Sequence, residues 1–139
     1  MKKIRIALGS NDGESICLSH MGMAKDFYVY DLFADGNFSF VEKRENTSPE
    51  VEEEHGFVAK MKAAMEIFND ADVIIGRRIS PNFVKMAATT RFQPVVIKID
   101  RISEIMQELV RCFGEIDGLV EQRARGNRPK EIPKLVKKE

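Results

Sequence analysis

The segment with the most varied side-chain chemistry runs from Cys17 to Ala24 and reads Cys-Leu-Ser-His-Met-Gly-Met-Ala. It contains a thiol at Cys17, an imidazole at His20 and thioethers at Met21 and Met23. Sulfur and imidazole nitrogen are soft and borderline donor atoms, which suit iron, copper, zinc and metal–sulfur clusters. The segment therefore predicts a metal or cluster site, and a sulfur-rich packed turn is the alternative.

Two side chains of this segment are candidate metal ligands, and two more residues would line the site. His20 is the first ligand, because an imidazole binds iron and can supply one terminal ligand to a preformed cluster. Cys17 lies three positions earlier and is the second, with burial as a small apolar side chain as its alternative. Met21 and Gly22 follow His20 directly. Met21 either adds a thioether contact or packs beneath the loop.

The pattern of β-forming residues predicts five strands around this segment. Alternating or wholly apolar runs mark them at residues 4–9, 27–33, 38–44, 73–76 and 94–98. The Asp-Gly-Asn sequence at 35–37 predicts a hairpin turn between the second and third of these strands. The candidate ligand segment therefore lies in a loop between the first strand and the hairpin.

Helical spacing predicts three helices between and after the later strands. The first starts at a capping box over 47–50, the second at Ser80-Pro81, and the third covers 102–113. Strands that alternate with helices predict an α/β fold, here a three-layer α/β/α sandwich. We expect a five-stranded mixed sheet with one antiparallel strand, which the hairpin supplies.

Arg77 and Arg78 follow the predicted strand 73–76 and precede a predicted helix. Ligands of open α/β sheets bind outside the carboxyl ends of the strands, which is also where His20 is expected. Guanidinium groups and free N–H groups at a helix start attract anions, and iron–sulfur clusters are polyanionic. We therefore expect His20, Arg77 and Arg78 to converge on one solvent-reachable hollow. Two solvated arginines in a loop are the alternative.

Composition limits the class of protein. Among the 139 residues, 22 Lys and Arg balance 22 Asp and Glu, so the overall charge does not indicate nucleic acid or a membrane surface. Residues 118–139 carry seven basic and three acidic side chains, together with the breakers Gly126, Pro129 and Pro133. We predict one α/β cofactor-binding-like domain over residues 1–117 and a basic, flexible tail over residues 118–139.

The cysteines and the N-terminal sequence bear on the compartment. Cys17 and Cys112 are too few for a disulfide scaffold. The N-terminal sequence Met-Lys-Lys-Ile-Arg-Ile runs directly into a strand pattern, with no signal segment. No run reaches the roughly eighteen apolar residues of a membrane span. We expect a cytoplasmic protein with reduced thiols and no membrane contact.

Several short motifs follow one another in a set order. A strand ends in Ala-Leu-Gly-Ser at 7–10, a His-x-Gly-x-Ala-x-x-Phe loop covers 20–27, a His-Gly pair stands at 55–56, and Ala-Asp-Val-Ile-Ile-Gly covers 71–76. In this order they resemble the dinitrogenase iron–molybdenum cofactor biosynthesis family over about residues 1–115. The resemblance implies a ribonuclease-H-like five-stranded sheet.

The chain departs from the family pattern near the candidate site. Met21 stands where the family usually has Phe, and Arg77-Arg-Ile-Ser80 replaces a second glycine before the proline. Cys17 is not a regular feature of the pattern, and the last strand follows Phe92-Gln-Pro94 where the family usually has Gly-Ile. The first two departures, at Met21 and at 77–80, leave binding possible and the type of cluster open.

The resemblance implies binding of an iron–sulfur or iron–molybdenum–sulfur cluster during metallocofactor assembly for nitrogen fixation. The expected metal ligands are then His20 and Cys17, and the expected cofactor-binding residues also include Met21, Gly22, Arg77 and Arg78. We expect a non-catalytic carrier or accessory protein, not an enzyme, whose partner is a cofactor assembly or acceptor protein. The alternative is a small interaction or regulatory domain of the same fold that binds no cluster.

Other chemistries have weaker support in the sequence. A two-metal nuclease needs several carboxylates, one of them in the first strand, and residues 4–9 contain no acid. The Gly-Ser-Asn-Asp-Gly sequence at 9–13 matches neither a P-loop nor a dinucleotide fingerprint. No spacing brings Cys112 or His55 to the Cys-x-x-His pair as the further ligands that zinc requires. A thiol enzyme lacks an activating partner for Cys17 other than His20. Because the first strand lacks the carboxylate of a nuclease and the overall charge is balanced, we expect no nucleic acid partner.

Overall fold

A computed structural model describes the backbone of residues 2–48 and 54–136, and the side chains of residues 2–48 and 60–136. Its elements are β1 (Lys3–Ser10), a 3₁₀ turn (Met21–Met23), β2 (Asp26–Phe33), β3 (Phe38–Glu45), α1 (Glu54–Ile67), β4 (Val73–Gly76), α2 (Pro81–Thr89), β5 (Gln93–Lys98), α3 (Ile102–Arg111), α4 (Phe113–Ala124) and β6 (Lys134–Val136). The strands form one sheet in the order β3-β2-β1-β4-β5-β6.

The sheet is mixed, and β2 is the strand that runs against its neighbours. It pairs antiparallel with β1 on one side and with β3 on the other. β1, β4, β5 and β6 pair in parallel. Asp35, Gly36 and Asn37 form the predicted hairpin turn, and Gly36 adopts a φ of 95°, which favours glycine.

Helices cover both faces of the sheet, as the sequence predicts for a three-layer sandwich. On one face, alternate β1 residues such as Ile4 and Ile6 pack with Ile105 and Leu109 of α3 and Ile116 of α4. The other face forms a second core from strand residues, helix residues of α1 and α2, and Phe68 directly after α1; the strand and helix residues include Ala7, Val29, Ile74, Met61, Phe83 and Met86. The period of two along β1, β2, β4 and β5 supplies both cores.

The predicted start of α2 is confirmed. The Ser80 hydroxyl oxygen accepts a hydrogen bond from the Phe83 N–H at 3.2 Å, and Pro81 occupies the first turn. The capping box predicted at 47–50 includes residues 49 and 50, which lie outside the described residues. The ribonuclease-H-like classification stays a prediction.

The C-terminal region differs from the sequence-based expectation. The sheet has six strands in place of five, because Leu135 and its neighbours pair with β5. The boundary predicted at residue 117 falls inside α4, and the segment expected to be a flexible tail contributes the end of α4 and all of β6. Ile116 and Leu119 are buried at helical spacing. Gly118 thus does not end the helix, because this face packs on the sheet.

Arg123, counted in the sequence among the charges of a solvated tail, is 6 % exposed. Its Nε donates to the Gln93 side-chain oxygen at 2.8 Å. Its Nη1 donates to the Ala87 and Thr90 carbonyls and its Nη2 to the Pro129 carbonyl. Burial lowers the pKa of this guanidinium from its ordinary value. One side chain thereby joins α4 to the end of α2, the start of β5 and the segment before β6.

The variant Arg123→Met should lower the free energy of unfolding by about 2–4 kcal/mol, because it leaves several buried acceptors without a donor. Urea denaturation followed by circular dichroism measures the loss. Arg125→Met is the matched control, since Arg125 is exposed at the end of the same helix. Equal stability of the two variants would contradict the structural role of Arg123.

A second polar network lies near the amino end of β1. Arg5 donates from Nε and Nη2 to the two oxygens of Asp31, at 2.9 and 3.1 Å, and from Nη1 to Asp70 at 2.7 Å. Arg44 donates from Nη1 and Nη2 to both oxygens of Asp70. The Arg44 guanidinium, with that of Arg5, holds the pKa of Asp70 well below its ordinary value. The network ties the segment after α1 to β1 and β3.

The variant Asp70→Asn should destabilise the protein at neutral pH and by a smaller amount at pH 3. The folded-state pKa of Asp70 is depressed, so its stabilisation is present above the unfolded value of about 3.8 and is lost as the pH falls toward the folded value. Urea denaturation of both proteins at pH 7 and at pH 3 measures the difference. A stability difference between the two proteins that does not change with pH would contradict this.

Candidate functional site

The loops after β1 and β4 lie together at one edge of the sheet. β1 and β4 are adjacent and parallel, so both loops leave at the carboxyl ends of the strands. From β1 the chain turns to β2 on one side, and from β4 it continues to β5 on the other side. Ligands of open α/β sheets bind at such a point of divergence. The topology therefore places a binding crevice between residues 11–25 and 77–80.

The loop after β1 is fixed to the end of its strand. The Cys17 N–H donates to the Gly9 carbonyl at 2.8 Å, and the buried Ser10 hydroxyl donates to the Ser15 carbonyl at 2.6 Å. A Cβ on Gly9 would lie 2.6 Å from the Ala24 Cβ and 3.1 Å from the Met21 carbonyl oxygen. Only glycine allows the loop to return this closely over the strand.

His20 immediately precedes the 3₁₀ turn and is exposed, whereas Met21 and Gly22 are buried. Met21 packs in the core between the sheet and α1, so it anchors the turn from beneath. The Asn46 amide donates to the Gly22 carbonyl at 2.9 Å and to the Ala24 carbonyl at 2.7 Å. The packing of Met21 and the hydrogen bonds from Asn46 therefore fix the turn, and the imidazole of His20 is exposed to solvent.

Arg77 and Arg78 have different partners in the loop after β4. Arg77 forms an ion pair with Asp100, and its carbonyl accepts from the Lys98 ammonium at 2.9 Å. Arg78 is exposed, and its Nη2 approaches the Leu18 carbonyl at 3.4 Å. Asp100 offsets the charge of Arg77, so Arg78 is the cation more available to an anion.

His20, Arg77 and Arg78 surround one small hollow, hereafter the hollow, as the sequence analysis expects. Its volume is about 10 Å³, close to that of a single water site. Its lining consists of the residues Ser19, His20, Met21, Met61, Gly76, Arg77, Arg78, Ser80 and Phe83. The hollow can receive the edge of a ligand, but it cannot enclose a cluster without widening.

Cys17 does not share this lining. Its side chain is 7 % exposed, and it lies outside the set of residues around the hollow. Among the described residues, no group of three or more His, Cys, Asp and Glu side chains is placed to hold a metal ion. A cluster at the hollow would therefore meet His20 first, and Cys17 as a second ligand stays a prediction. The side chain of His55 lies outside the described part.

Three residues that the sequence analysis did not single out support the site. Asn46 fixes the 3₁₀ turn through its amide, and no local sequence motif predicts this role. Lys60 is 5 % exposed, donates to the Ser48 hydroxyl at 3.0 Å, and has its Cε 4.0 Å from where a Cβ on Gly22 would lie. Gly76 lets the Phe83 ring close the floor of the hollow, since a Cβ there would lie 2.5 Å from that ring.

Comparison with protein families gives a match that covers most of the chain. The model of the dinitrogenase iron-molybdenum cofactor family matches residues 2–111. The chain belongs to this family. The match contains both loops of the hollow and ends at the last residue of α3, so α4 and β6 lie beyond it. No curated protein matches the chain. Within the described ranges, no helix of this family member is both long and apolar enough to cross a membrane.

The variant Asn46→Asp should loosen the turn that presents His20. It replaces the amide donor to the Gly22 and Ala24 carbonyls with an acceptor, while the acceptor for Ser48 is kept. We expect a loss of about 1–3 kcal/mol and faster amide hydrogen exchange at Met23 and Ala24. Asn37→Asp, in the exposed hairpin turn, is the control. Unchanged exchange in the Asn46 variant would show that the amide does not hold the turn.

Proposed function

We propose that this protein is a non-catalytic carrier of an iron–sulfur or iron–molybdenum–sulfur cluster in metallocofactor assembly. Family membership supports a role in handling the iron–molybdenum cofactor. The observation that carries the proposal is the placement of an exposed imidazole and two guanidiniums around one hollow at the divergence of β1 and β4. That combination offers a metal ligand together with positive charge for a polyanionic cargo.

The size of the hollow determines how the cargo would be held. A volume of about 10 Å³ admits only an edge or corner of a cluster, so most of the cluster remains outside the protein. The His20 imidazole would supply one terminal ligand. Arg78, whose guanidinium has no carboxylate partner among the described residues, would face the sulfide or organic-acid charge. Such a site binds moderately and releases its cargo readily.

Cys17 enters the proposal as a second ligand that needs a movement of the loop. Its N–H is bonded to the Gly9 carbonyl and its side chain is nearly buried. Exposure of the thiolate therefore requires the loop to open around His20. Cys17→Ser distinguishes a cluster ligand from a small buried side chain at position 17, because it removes the soft donor while it preserves the size of the side chain.

The compartment and the partner proposed for this carrier are those expected from the sequence. We place it in the cytoplasm, with reduced thiols and with an assembly or acceptor protein as its partner. Its fold would be a ribonuclease-H-like sheet extended by β6. Nitrogen fixation is the process that the family description associates with such a carrier.

A second candidate function is an interaction or regulatory domain that binds no cluster. The small volume of the hollow and the ion pair between Arg77 and Asp100 favour it, because both reduce what the site offers to an anionic cargo. Under this alternative His20 would contact a partner protein directly.

Anaerobic reconstitution with iron and sulfide tests the carrier proposal. The protein should turn brown, and sulfide-to-iron charge-transfer absorption should accompany the bound iron. His20→Ala should retain iron against a chelator at least about tenfold less well, because a direct ligand is lost. Iron analysis and visible absorption after gel filtration measure this.

His55→Ala is the comparison variant, since the chain has only two histidines. It should load as the unsubstituted protein does. A colourless unsubstituted protein, or iron retention by His20→Ala equal to that of the unsubstituted protein, would refute ligation by His20 and favour the interaction domain.

A further inference from the structure

The strand β3 forms one edge of the sheet and exposes two aromatic rings. In the described part of the chain it pairs only with β2, so the backbone groups on its outer side have no strand partner there. Phe38 and Phe40 at its start are 42 % and 52 % exposed. An edge strand with unpaired backbone groups and exposed apolar side chains is a template for pairing with another strand.

The hydrogen bonds of the hairpin determine which residues of β3 face outward. The Phe33 N–H donates to the Asn37 carbonyl at 2.8 Å, so the backbone of Asn37 faces β2. Backbone groups along an antiparallel strand point alternately to one side and to the other. Ser39 therefore also faces β2, whereas the N–H and C=O groups of Phe38 and Phe40 point to the outer edge of the sheet.

The two rings lie on the sheet face that α3 covers further along. Phe40 is opposite Tyr30, which packs against the core on that face. The Phe40 ring centroid lies 5.3 Å from that of Tyr30 and 6.1 Å from that of Tyr28. Tyr30 and Phe38 also line a groove of about 490 Å³, whose other lining includes residues 101–103 at the start of α3. The aromatic surface of the hairpin is therefore open to solvent.

This edge is complementary to itself. Antiparallel pairing with β3 of a second copy, about a twofold axis through Ser39, sets Phe38 of each copy opposite Phe40 of the other. Both residues direct their backbone groups outward, so each pair can exchange both hydrogen bonds, and the rings become cross-strand neighbours on one face. A twofold interface requires such self-complementarity. Residues 38–45 contain two acids and two bases, so charge does not oppose the pairing.

We propose that this protein forms a symmetric dimer through β3, in which the sheets of two copies join into one continuous sheet about Ser39. Regular pairing ends at Val41, which has no partner on β2 and forms a bulge, so the joint is short and the dimer dissociates on dilution. Ser39 is in register with Asp31 and through it with Arg5, near the amino end of β1. The hollow, at the carboxyl ends of the strands, stays open in both copies.

Sedimentation velocity of the full chain at increasing protein concentration tests the dimer. The dimer fraction of the unsubstituted protein should rise with concentration. Phe40→Lys should raise the dimer dissociation constant at least about tenfold, because it replaces a ring at the joint with a charge that opposes strand pairing at an edge. Val84→Lys is the matched control, since Val84 is 54 % exposed but lies on α2. A monomer at every concentration, or equal effects of the two variants, would overturn the proposal.

The variant Ser39→Cys tests the position of the axis while both rings are kept. The two side chains at position 39 would form a pair without backbone hydrogen bonds, with Cα atoms about 4.5 Å apart, which is within disulfide range. The variant is made together with Cys112→Ser, because Cys112 is partly exposed. Mild oxidation should give a covalent dimer on a non-reducing gel.

Lys43→Cys in the same background is the control for this cross-link. Lys43 is an exposed residue of the same strand, but the axis through Ser39 places it far from its counterpart in the second copy. Cross-linking of Ser39→Cys should be at least several times faster, and equal rates would overturn the proposed dimer. Neither experiment involves iron, so its outcome is independent of the carrier function.

Discussion

The parallel pairing of β1 with β4 is the constraint on which the rest of the candidate site depends. Ile6, Ala7 and Leu8 are in register with Val73, Ile74 and Ile75, and all six are fully buried. This pairing sends the loops that carry His20 and Arg78 out at the same edge. The chain then leaves the two strands in opposite directions, to β2 from β1 and to β5 from β4. The site is a consequence of that divergence.

Close contacts to two glycines then determine how far the imidazole of His20 lies from the sheet. Gly9 admits Ala24 and the Met21 carbonyl, and Gly76 admits the Phe83 ring. Both glycines reduce the space beneath the loops and leave a hollow the size of one water site. The physical result is an exposed imidazole beside a small hollow, not a pocket that encloses a ligand. The proposed carrier function would use this geometry to receive its cargo from one protein and give it to another.

Much of the fold follows from local pattern. The alternation along β1 and the apolar run of β4 predict strands, and the Ser80-Pro81 pair predicts the start of α2; the structure contains all of these. In the C-terminal region the basic residues and glycines predicted a flexible tail, whereas the structure has the end of α4 and β6 there. Arg123 is the reason: this cation is buried, and oxygen acceptors from the end of α2, the start of β5 and the segment before β6 converge on it. Such convergence has no signature in local sequence.

The sequence by itself determined the donor atoms, the order of strands and helices up to α3, and the family, since these depend on residue type and spacing along the chain. Only the tertiary structure decided which donors meet. It brought His20 to Arg77 and Arg78 across 57 and 58 positions of sequence and kept Cys17, three positions from His20, out of the hollow. The physical reason is that strand pairing, not proximity in sequence, fixes which loops share an edge, and the hydrogen bond from Cys17 to Gly9 holds that residue against its own strand.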